Sequence, residues 1–407
     1  MRIAVVTIVF PAASEAFAAV EFRKIVQAGH EVSVYAVRSK PFGSQSSVQP
    51  PIPAGVAVSW QNLRTLLNAC KILMRHPIKV GHTLWWTIRH GSRTPALLLK
   101  CLVFFPRLME IGDDLARACP DVVHLFWGHY PSVAGYYAKL RMPSASIYST
   151  SLGAYDLLYN FGPSTDFARQ SDVIWTHASV NRPMLESRGI PPSRIRVLPR
   201  GIDLGQVPDG TAIKQRGLIA VVARLVPEKG VEVVIRAFNE MRQSKLPCNL
   251  EIVGDGPSRR TLERLVESLQ LQSFVRFHGN VSHDEVFNLL SRADVFILAS
   301  TNPSERLPNV VKEALACRCV CIVSPTPGIE ELLATLQHQL IVSPRVDSLS
   351  SALADVLRFP EKYSGDRDSG RQHVFANYDA GRVAEERLSV WREAREMRAA
   401  MTGAAAR

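Results

Sequence analysis

The residues best suited to chemistry lie in one short run of the second half of the chain. Glu305 and Glu313 bracket seven residues that include Leu307, Pro308 and Asn309. Two glutamates at this spacing are usually ordinary surface charges. A Pro-Asn-Val-Val segment between them is a much more specific sign of a ligand site. The run also follows a predicted strand at 295–299, and open α/β sheets bind ligands at the carboxyl ends of their strands.

Pro308 predicts a helix start, since a proline needs no amide hydrogen at the first helical position. The amides of Asn309, Val310 and Val311 are then expected to be free and to carry the positive end of the helix dipole. Such a helix start is an anion site that suits a diphosphate. Asn309 and Glu313 are four residues apart and share one helix face.

A second candidate cluster lies on the loop at 223–230, between a predicted strand and a predicted helix. Arg224 and Lys229 stand on this loop. An arginine fork and a lysine point charge close together can neutralise two phosphates. Two exposed loop cations without a ligand would give the same pattern. The loop therefore supports a phosphate-binding site only in combination with the glutamate run.

The elements that must position these residues form two series of alternating strands and helices, the pattern of βαβ units with parallel sheets. We therefore predict an α/β protein with two doubly wound domains, at 1–203 and 204–378, and a final helix at about 380–398 that closes back onto the first. The predicted strands are 3–8, 31–37, 121–126, 146–151, 173–176 and 195–199, then 218–223, 249–253, 275–278, 295–299, 320–323 and 340–342.

Composition excludes several classes of protein. The 407 residues are 46% hydrophobic and 21% charged, which argues against disorder, collagen and coiled coil. Seven cysteines without a Cys-x-x-Cys pair make a disulfide framework or a zinc ribbon improbable. The amino terminus is typical of a buried strand rather than a signal peptide, and the most apolar stretch, 96–105, is too short to span a bilayer. A cytoplasmic protein is expected.

The charge is concentrated in one region. The net charge is +11, which favours anionic partners. Between residues 32 and 109 the sequence contains ten lysines and arginines and no carboxylate, and Trp60, Trp85 and Trp86 are interleaved with them. This pattern favours peripheral attachment of 41–109 to an anionic membrane surface. A solvated basic helix pair over the sheet is the alternative, and no nucleic-acid motif accompanies the charge.

The glutamate run resembles the donor-site motif of the retaining glycosyltransferases of family 4, which have the GT-B fold, and exopolysaccharide-type members in particular. The loop with Arg224 and Lys229 resembles the Arg and Lys-Gly loop of the same family. The resemblance covers about 1–40 and 120–390, whereas 41–119 matches nothing familiar. Further matching segments lie at 10–17, 29–32, 200–203, 252–257 and 275–279.

The resemblance implies a function and a role for each site residue. The chain would transfer a sugar from a nucleotide-diphosphate sugar to a lipid-linked saccharide, with no metal and no other cofactor. Glu305 would contact the sugar, and Arg224 and Lys229 would stabilise the leaving diphosphate. The nucleotide-binding set, with Glu313 on the ribose and the base near His278, would be Leu307, Pro308, Asn309, Val310, Val311, Glu313, His278 and Gly279.

The sequence departs from the family pattern at three places. Arg306 and Arg318 replace residues that are usually small. The family's His before a Tyr-Asp pair is absent, because Gly153 stands at that position. His129 follows a strand and is the candidate substitute for contact with a sugar, although an exposed loop histidine would give the same pattern. His124 falls inside the strand and is expected to be a buried core residue.

Three alternative functions remain open at this stage. A nucleotide-sugar epimerase can share the GT-B fold. A glycoside hydrolase also uses two carboxylates, but these must flank a sugar rather than a helix start. A non-catalytic membrane-binding or saccharide-binding protein on the same scaffold would explain the absent histidine. The sequence does not identify the nucleobase, the sugar or the acceptor.

Overall fold

The computed structural model describes residues 1–12, 16–38, 51–62, 64–142, 146–209, 213–243 and 246–405. These residues divide into two compact units. The first contains the described residues up to 199 and from 381 onwards, and the second contains 200–380. Residues 13–15, within the motif at 10–17, and Lys40 and Leu63 of the basic region lie outside the described residues.

The described part of the first unit contains a parallel sheet of seven strands in the order β3-β2-β1-β4-β5-β6-β7. The strands are β1 (Arg2–Thr7), β2 (Glu31–Ala36), β3 (Val56–Ser59), β4 (Val122–Phe126), β5 (Ile147–Ser151), β6 (Val173–Thr176) and β7 (Ile195–Val197). The helices are α1 (Ala16–Gln27), α2 (Thr65–Arg75), α3 (Pro77–Gly91), α4 (Pro95–Ala118), α5 (Pro131–Arg141), α6 (Ala154–Tyr159), α7 (Gly162–Gln170), α8 (Arg182–Ser187) and the final α16 (Ala380–Ala405).

The second unit, where described, contains a parallel sheet of six strands in the order β10-β9-β8-β11-β12-β13. The strands are β8 (Gln215–Val222), β9 (Asn249–Val253), β10 (Val275–Gly279), β11 (Ala293–Leu298), β12 (Val320–Val323) and β13 (Leu340–Ile341). The helices are α9 (Val231–Arg242), α10 (Arg259–Ser268), α11 (His283–Arg292), α12 (Asn309–Ala316), α13 (Ile329–Leu332), α14 (Val346–Arg358) and α15 (Ser364–Asn377).

Both sheets have the strand order of a dinucleotide-binding fold, in which the order reverses beside the first strand of the unit. The predicted fold class is therefore confirmed: each unit is a parallel-sheet Rossmann-like domain. The buried strands are rich in valine and isoleucine, as parallel strands covered on both faces require. Helix α11 begins with a capping box, in which the amide of Glu285 donates to the Ser282 side chain and the amide of Ser282 donates to the Glu285 side chain.

The basic region folds as a strand and three helices, β3 and α2–α4. Several of its residues belong to the core of the first unit, among them two, Arg107 and Trp86, that the sequence pattern counted toward a membrane surface. Arg107 is buried, 2.8 Å from Glu110, and donates to the carbonyls of Ala36 and Ser59. Trp86 is buried and stacks on Tyr136 with ring centroids 3.9 Å apart. Within the described ranges, no helix combines the length and apolarity needed to cross a membrane.

Candidate active site

Three loops meet at the carboxyl edge of the second sheet, after β8, β9 and β11. The amide of Thr301 donates to the carbonyl of Glu228 at 2.8 Å, which joins the β11 loop to the β8 loop. The amide of Leu225 donates to the backbone carbonyl of Asp255 at 2.9 Å, and the amide of Ser258 donates to the carbonyl of Leu225 at 3.0 Å. These backbone bonds hold the loop with Arg224 and Lys229 against the loop that precedes α12.

Two glycines make this close approach possible. A Cβ atom at Gly230 would lie 2.2 Å from the carbonyl oxygen of Ala299, and the residue has φ of +66°. A Cβ atom at Gly254 would lie 1.9 Å from the carbonyl oxygen of Ala223, with φ of +121°. Any larger residue would push the loops apart, because both contacts are with backbone atoms and the conformations favour glycine.

The structure brings Lys229 and Glu305 together, although 76 residues separate them. Lys229 Nζ lies 2.6 Å from Glu305 Oε1, and both side chains are largely buried. The second carboxylate oxygen, Glu305 Oε2, is buried and has no hydrogen-bond partner among the described residues. Arg224 is placed differently: its side chain is 68% exposed and lies 3.8 Å from Glu228. A lysine and a half-satisfied carboxylate therefore form the centre of the cluster.

The start of α12 differs from the sequence prediction. The helix begins at Asn309, and Pro308 precedes it as the capping residue with ψ of 129°. Because of this extended backbone, the Pro308 carbonyl accepts from the amide of Val311 at 3.1 Å. The predictions that Pro308 is the first helical residue and that the Val311 amide is free are wrong. The amides of Asn309 and Val310 form no hydrogen bond with any acceptor in the described part of the chain.

Glu313 lies one turn into α12 and already has a partner. His283 Nε2 lies 3.0 Å from Glu313 Oε1, and its Nδ1 lies 3.1 Å from Gln206. Burial acts to lower the pKa of His283, but the hydrogen bond and charge of Glu313, with Asp284 and Asp203, outweigh burial and raise it. A ligand hydroxyl that binds Glu313 must share the carboxylate with this histidine.

The predicted base-binding residues lie at the end of β10. His278 Nε2 lies 3.0 Å from the carboxylate of Glu251 on the neighbouring β9. The Gly279 carbonyl accepts from the amide of Gly254 at 2.8 Å. His278 is thus fixed to β9 itself, and Gly279 is fixed to the loop after β9 that also contacts Leu225. They border the same carboxyl edge of the sheet as Glu305.

Lys312 is a buried cation that the sequence analysis did not single out. Its side chain is fully buried, and Nζ donates to the carbonyl of Arg200 at 2.7 Å and to Asn309 Oδ1 at 3.1 Å. Burial, with a smaller contribution from the Arg200 charge, lowers the pKa of Lys312 to about 7. The lysine holds the side chain of the first residue of α12 and thereby orders the helix start.

Lys312 should make the stability of the second unit depend on pH. The folded state releases the proton above about pH 7, whereas the unfolded lysine retains it up to an ordinary pKa of 10.5. Stability should therefore rise with pH across this window, with a limiting slope of about 1.4 kcal/mol per unit, and the cost of the buried charge should be constant below it. Lys312→Met should lose this rise.

Hydrogen exchange of the β11 and β12 amides, measured from pH 6 to 9.5, would test the prediction. The difference between the wild type and Lys312→Met isolates Lys312 from other groups that titrate. Lys362→Met, which removes an exposed lysine of the same unit, is the control and should keep the wild-type slope. Parallel curves for the wild type and Lys312→Met would contradict a lowered pKa.

In the first unit, His129 follows β4 as predicted but is not an exposed loop residue. It is 4% exposed, lies under the ring of Tyr155 at 5.1 Å, and its Nε2 is 3.4 Å from Asp156. The alternative of an exposed histidine is wrong. His124 is fully buried and bonded to Ser149, as expected of a core histidine, and burial lowers its pKa well below the ordinary value.

A side chain from the end of β4, the indole of Trp127, occupies the space where a side chain at position 153 would lie. A Cβ atom at Gly153 would lie 2.7 Å from Cζ3 of Trp127. Trp127 directly follows β4 and has φ of +90°, a strained conformation for a bulky residue. The indole therefore occupies the space beside Gly153, and a side chain at 153 could not be accommodated without moving it.

The described residues contain no group of three His, Cys, Asp or Glu side chains arranged to hold a metal ion. The Asp-x-Asp pair of Asp366 and Asp368 is engaged by protein donors. Asp366 accepts from the amide of Gln337 at 2.6 Å, and Asp368 accepts from Arg318 at 2.8 Å.

Arg318 itself adopts φ of +61°, so it keeps the left-handed turn that a glycine would favour. The free cysteines are mostly buried.

Comparison with known proteins identifies the class. Residues 208–373 match the family model of glycosyl transferases group 1. The putative colanic acid biosynthesis glycosyltransferase WcaL of Salmonella typhimurium is 24% identical over 382 residues, which cover 88% of this chain and 91% of WcaL. The chain is a glycosyltransferase. It resembles members of the exopolysaccharide type, as the sequence motifs predicted.

Other similarities support the fold of this glycosyltransferase. The GDP-mannose-dependent phosphatidylinositol monomannoside mannosyltransferase of Mycolicibacterium smegmatis is 28% identical over 56% of this chain and 64% of that protein. Anabaena HepE, solved with UDP and glucose, matches with a TM-score of 0.68 over 97% of this chain and all of HepE, at 14% identity. Sucrose-phosphate synthase of Thermosynechococcus elongatus matches with a TM-score of 0.69 over 97% of this chain and 98% of that chain, at 16% identity. The fold is GT-B.

Proposed function

We propose that the chain is a retaining, metal-independent glycosyltransferase that uses a nucleotide-diphosphate sugar and a lipid-linked saccharide acceptor. Its role would be in cell-surface polysaccharide synthesis. The observation that carries this proposal is the buried pair of Lys229 and Glu305, together with the start of α12. Among the described residues, Glu305 Oε2 and the amides of Asn309 and Val310 have no hydrogen-bond partner. A cation and a helix start suit a diphosphate, and a half-satisfied carboxylate suits a sugar hydroxyl.

The proposed reaction exchanges one bond at the anomeric carbon. The bond from C1 to the diphosphate oxygen breaks, and the oxygen of an acceptor hydroxyl bonds to C1. The acceptor proton leaves with the diphosphate or to solvent. Lys229 would stabilise the charge that develops on the leaving diphosphate, with Arg224 moving in from solvent, so the protein itself supplies the positive charge without a metal ion. Retention of configuration rests on the family resemblance.

A nucleotide-sugar donor is supported by the relatives as well as by the site. HepE was solved with UDP and with UDP-glucose, and the mannosyltransferase is named for GDP-mannose. These differ in the base, so a thermal-shift panel of UDP-, GDP- and ADP-sugars is the first experiment. A ligand that binds only the folded state raises its stability by mass action. No shift with any member of the panel would contradict the donor assignment.

Transfer is tested separately from binding. Release of nucleoside diphosphate should require acceptor, supplied as a lipid extract, and NMR of the product should show the anomeric configuration of the donor. Inversion would disprove the retaining mechanism. Loss of transfer on addition of a chelator, restored by a divalent cation, would disprove metal independence. An epimerase would instead release or convert sugar without acceptor.

The lipid-linked acceptor is supported by a surface on α2, α3 and α4 that we call the apolar-basic face. It combines large exposed apolar side chains with exposed cations, and it lies in the part of the sequence without carboxylates. The apolar members are Leu66, Leu67, Leu73, Met74, Ile78, Trp85, Ile88, Leu99 and Val103, exposed by 45–85%, and the exposed cations are Arg64, Lys71, Arg75, Arg89, Arg93 and Lys100.

This composition suits an anionic phospholipid surface. Each of the three helices exposes apolar side chains, edged by lysine or arginine, as an interfacial helix requires. Each cation near an anionic leaflet contributes roughly 1 kcal/mol, and the segment 32–109 that supplies these cations contains no carboxylate of its own. We propose that the apolar-basic face attaches the enzyme to the cytoplasmic leaflet, where a lipid-linked saccharide is within reach.

Sedimentation with vesicles tests the membrane proposal. The protein should bind vesicles that contain phosphatidylglycerol at low salt and lose most of this binding at high salt, because exposed charges are screened. The double variant Ile78→Ser, Trp85→Ser should bind several-fold less. Phe359→Ala, which removes a residue of similar exposure from the second unit, should bind normally.

Two outcomes would contradict attachment through this face. Equal binding to neutral and anionic vesicles, or none to either, would remove the anionic membrane as the partner. Concentration-dependent dimerisation without lipid, abolished by the double variant, would identify a second copy of the chain as the occupant. Neither result would affect nucleotide binding, because the face belongs to the first unit and the donor residues to the second.

A further inference from the structure

Arg306, between Glu305 and the start of α12, is a buried cation without a carboxylate partner among the residues that the structure describes. The residue is 8% exposed, and its Nη1 donates only to the carbonyls of Pro303 and Glu305. Its Nε is buried and has no hydrogen-bond partner in the described part of the chain. No ion pair links Arg306 to a carboxylate within the described ranges.

A guanidinium in such a place is costly. Burying a charge is unfavourable unless it is paired and hydrogen-bonded. Burial lowers the pKa of Arg306, yet an arginine does not give up its proton under ordinary conditions. The neighbouring cation Lys229 is balanced by Glu305, so that carboxylate is already engaged. The charge of Arg306 would therefore be balanced by an anionic ligand that binds from solution.

We propose that Arg306 is a third cation for the donor, which binds the diphosphate and has its charge balanced only when that ligand is present. This inference rests on the proposed function and deepens it. Three features favour a diphosphate: the unused Nε donor, the free amides of Asn309 and Val310 three and four residues further along the chain, and the absence of any competing ion pair among the described residues. A planar guanidinium can bind phosphate oxygens through two parallel hydrogen bonds.

The experiment uses two probes, inorganic pyrophosphate, which carries no nucleobase, and UDP, with uridine as the phosphate-free comparison for UDP. Arg306→Met is expected to raise the melting temperature of the unliganded protein, because an unpaired buried charge is removed. It should also weaken binding of pyrophosphate and UDP by roughly 10- to 100-fold, the effect of losing a hydrogen bond to a charged group. Uridine binding should not change.

Arg306→Lys and Arg264→Met complete the design. The lysine keeps the charge but not the fork, so it should recover part of the affinity. Arg264 is an exposed arginine of the same unit, and its removal should change neither property. A purely structural Arg306 gives the opposite result: Arg306→Met lowers the melting temperature and leaves pyrophosphate affinity intact.

The two proposals fail in different ways. If the wild type binds pyrophosphate and UDP and Arg306→Met binds them equally well, the role of Arg306 is disproved and the donor site stands. If the wild type binds neither probe nor any nucleotide sugar, the donor site is wrong, and the role of Arg306 falls with it. If Arg306→Met is too unstable to measure, Arg306→Lys and Arg306→Gln replace it. Wild-type affinity for pyrophosphate and UDP in both of these variants would overturn the inference.

Discussion

Lys229→Ala is expected to lower turnover by a factor on the order of 10²–10³, the usual effect of removing one electrostatic contact to a developing charge. Lys229 is held 2.6 Å from Glu305 and is largely buried, so its charge acts where water screens it little. The fold should survive, because the backbone bonds between the loops do not involve this side chain. Nucleoside diphosphate release at saturating donor measures the effect.

Glu305→Gln tests the other half of the pair and should lower turnover by a comparable factor. It keeps the shape of the side chain but removes the charge that balances Lys229. The double variant should lose less than the product of the two single effects, because each single change already breaks the pair. Arg236→Ala disrupts an exposed pair with Glu232 in the same unit and should be nearly silent. Transfer within twofold of the wild type in both single variants would refute the assigned site.

Part of this site could be predicted because each of its motifs is local in sequence. Strand ends in a parallel sheet share one edge, so the predicted strands put both motifs at that edge, but the contact of Lys229 with Glu305, 76 residues away, appears only in the structure. The spacing of Asn309 and Glu313 likewise follows from helical periodicity. The glycines at 230 and 254 were matched as motif residues, although only the structure shows the carbonyls that demand them.

The rest depends on contacts between distant segments. Pro308 caps α12 instead of entering it, because its ψ of 129° is extended, and it follows a left-handed Leu307 with φ of +44°. His129 is buried because Tyr155 of α6 and Phe161, which caps α7, pack against its ring. Arg107 was counted with the surface cations, but Glu110 one turn later gives it a buried partner. Burial of a charge is decided by tertiary neighbours that periodicity does not reveal.

The final helix offers a prediction of similar size for stability. Trp391 of α16 is fully buried, and its Nε1 donates to Ser149 Oγ at 2.9 Å, the oxygen that also accepts from Trp175. Arg387, one turn earlier, lies over the rings of Trp175 and Trp391 and 2.6 Å from Glu21. Trp391→Ala should destabilise the first unit by about 3–5 kcal/mol through the cavity it creates.

Urea unfolding followed by tryptophan fluorescence is well suited to this test, because all six tryptophans lie in the first unit. The signal then reports that unit alone, which avoids the ambiguity of a two-unit transition. Trp391→Phe should recover most of the loss, since it keeps an aromatic ring and gives up mainly the hydrogen bond to Ser149. Met397→Ala, at an exposed site of the same helix, should stay within about 0.5 kcal/mol of the wild type. A Trp391→Ala midpoint equal to that of Met397→Ala would show that α16 is not needed to hold the first unit together.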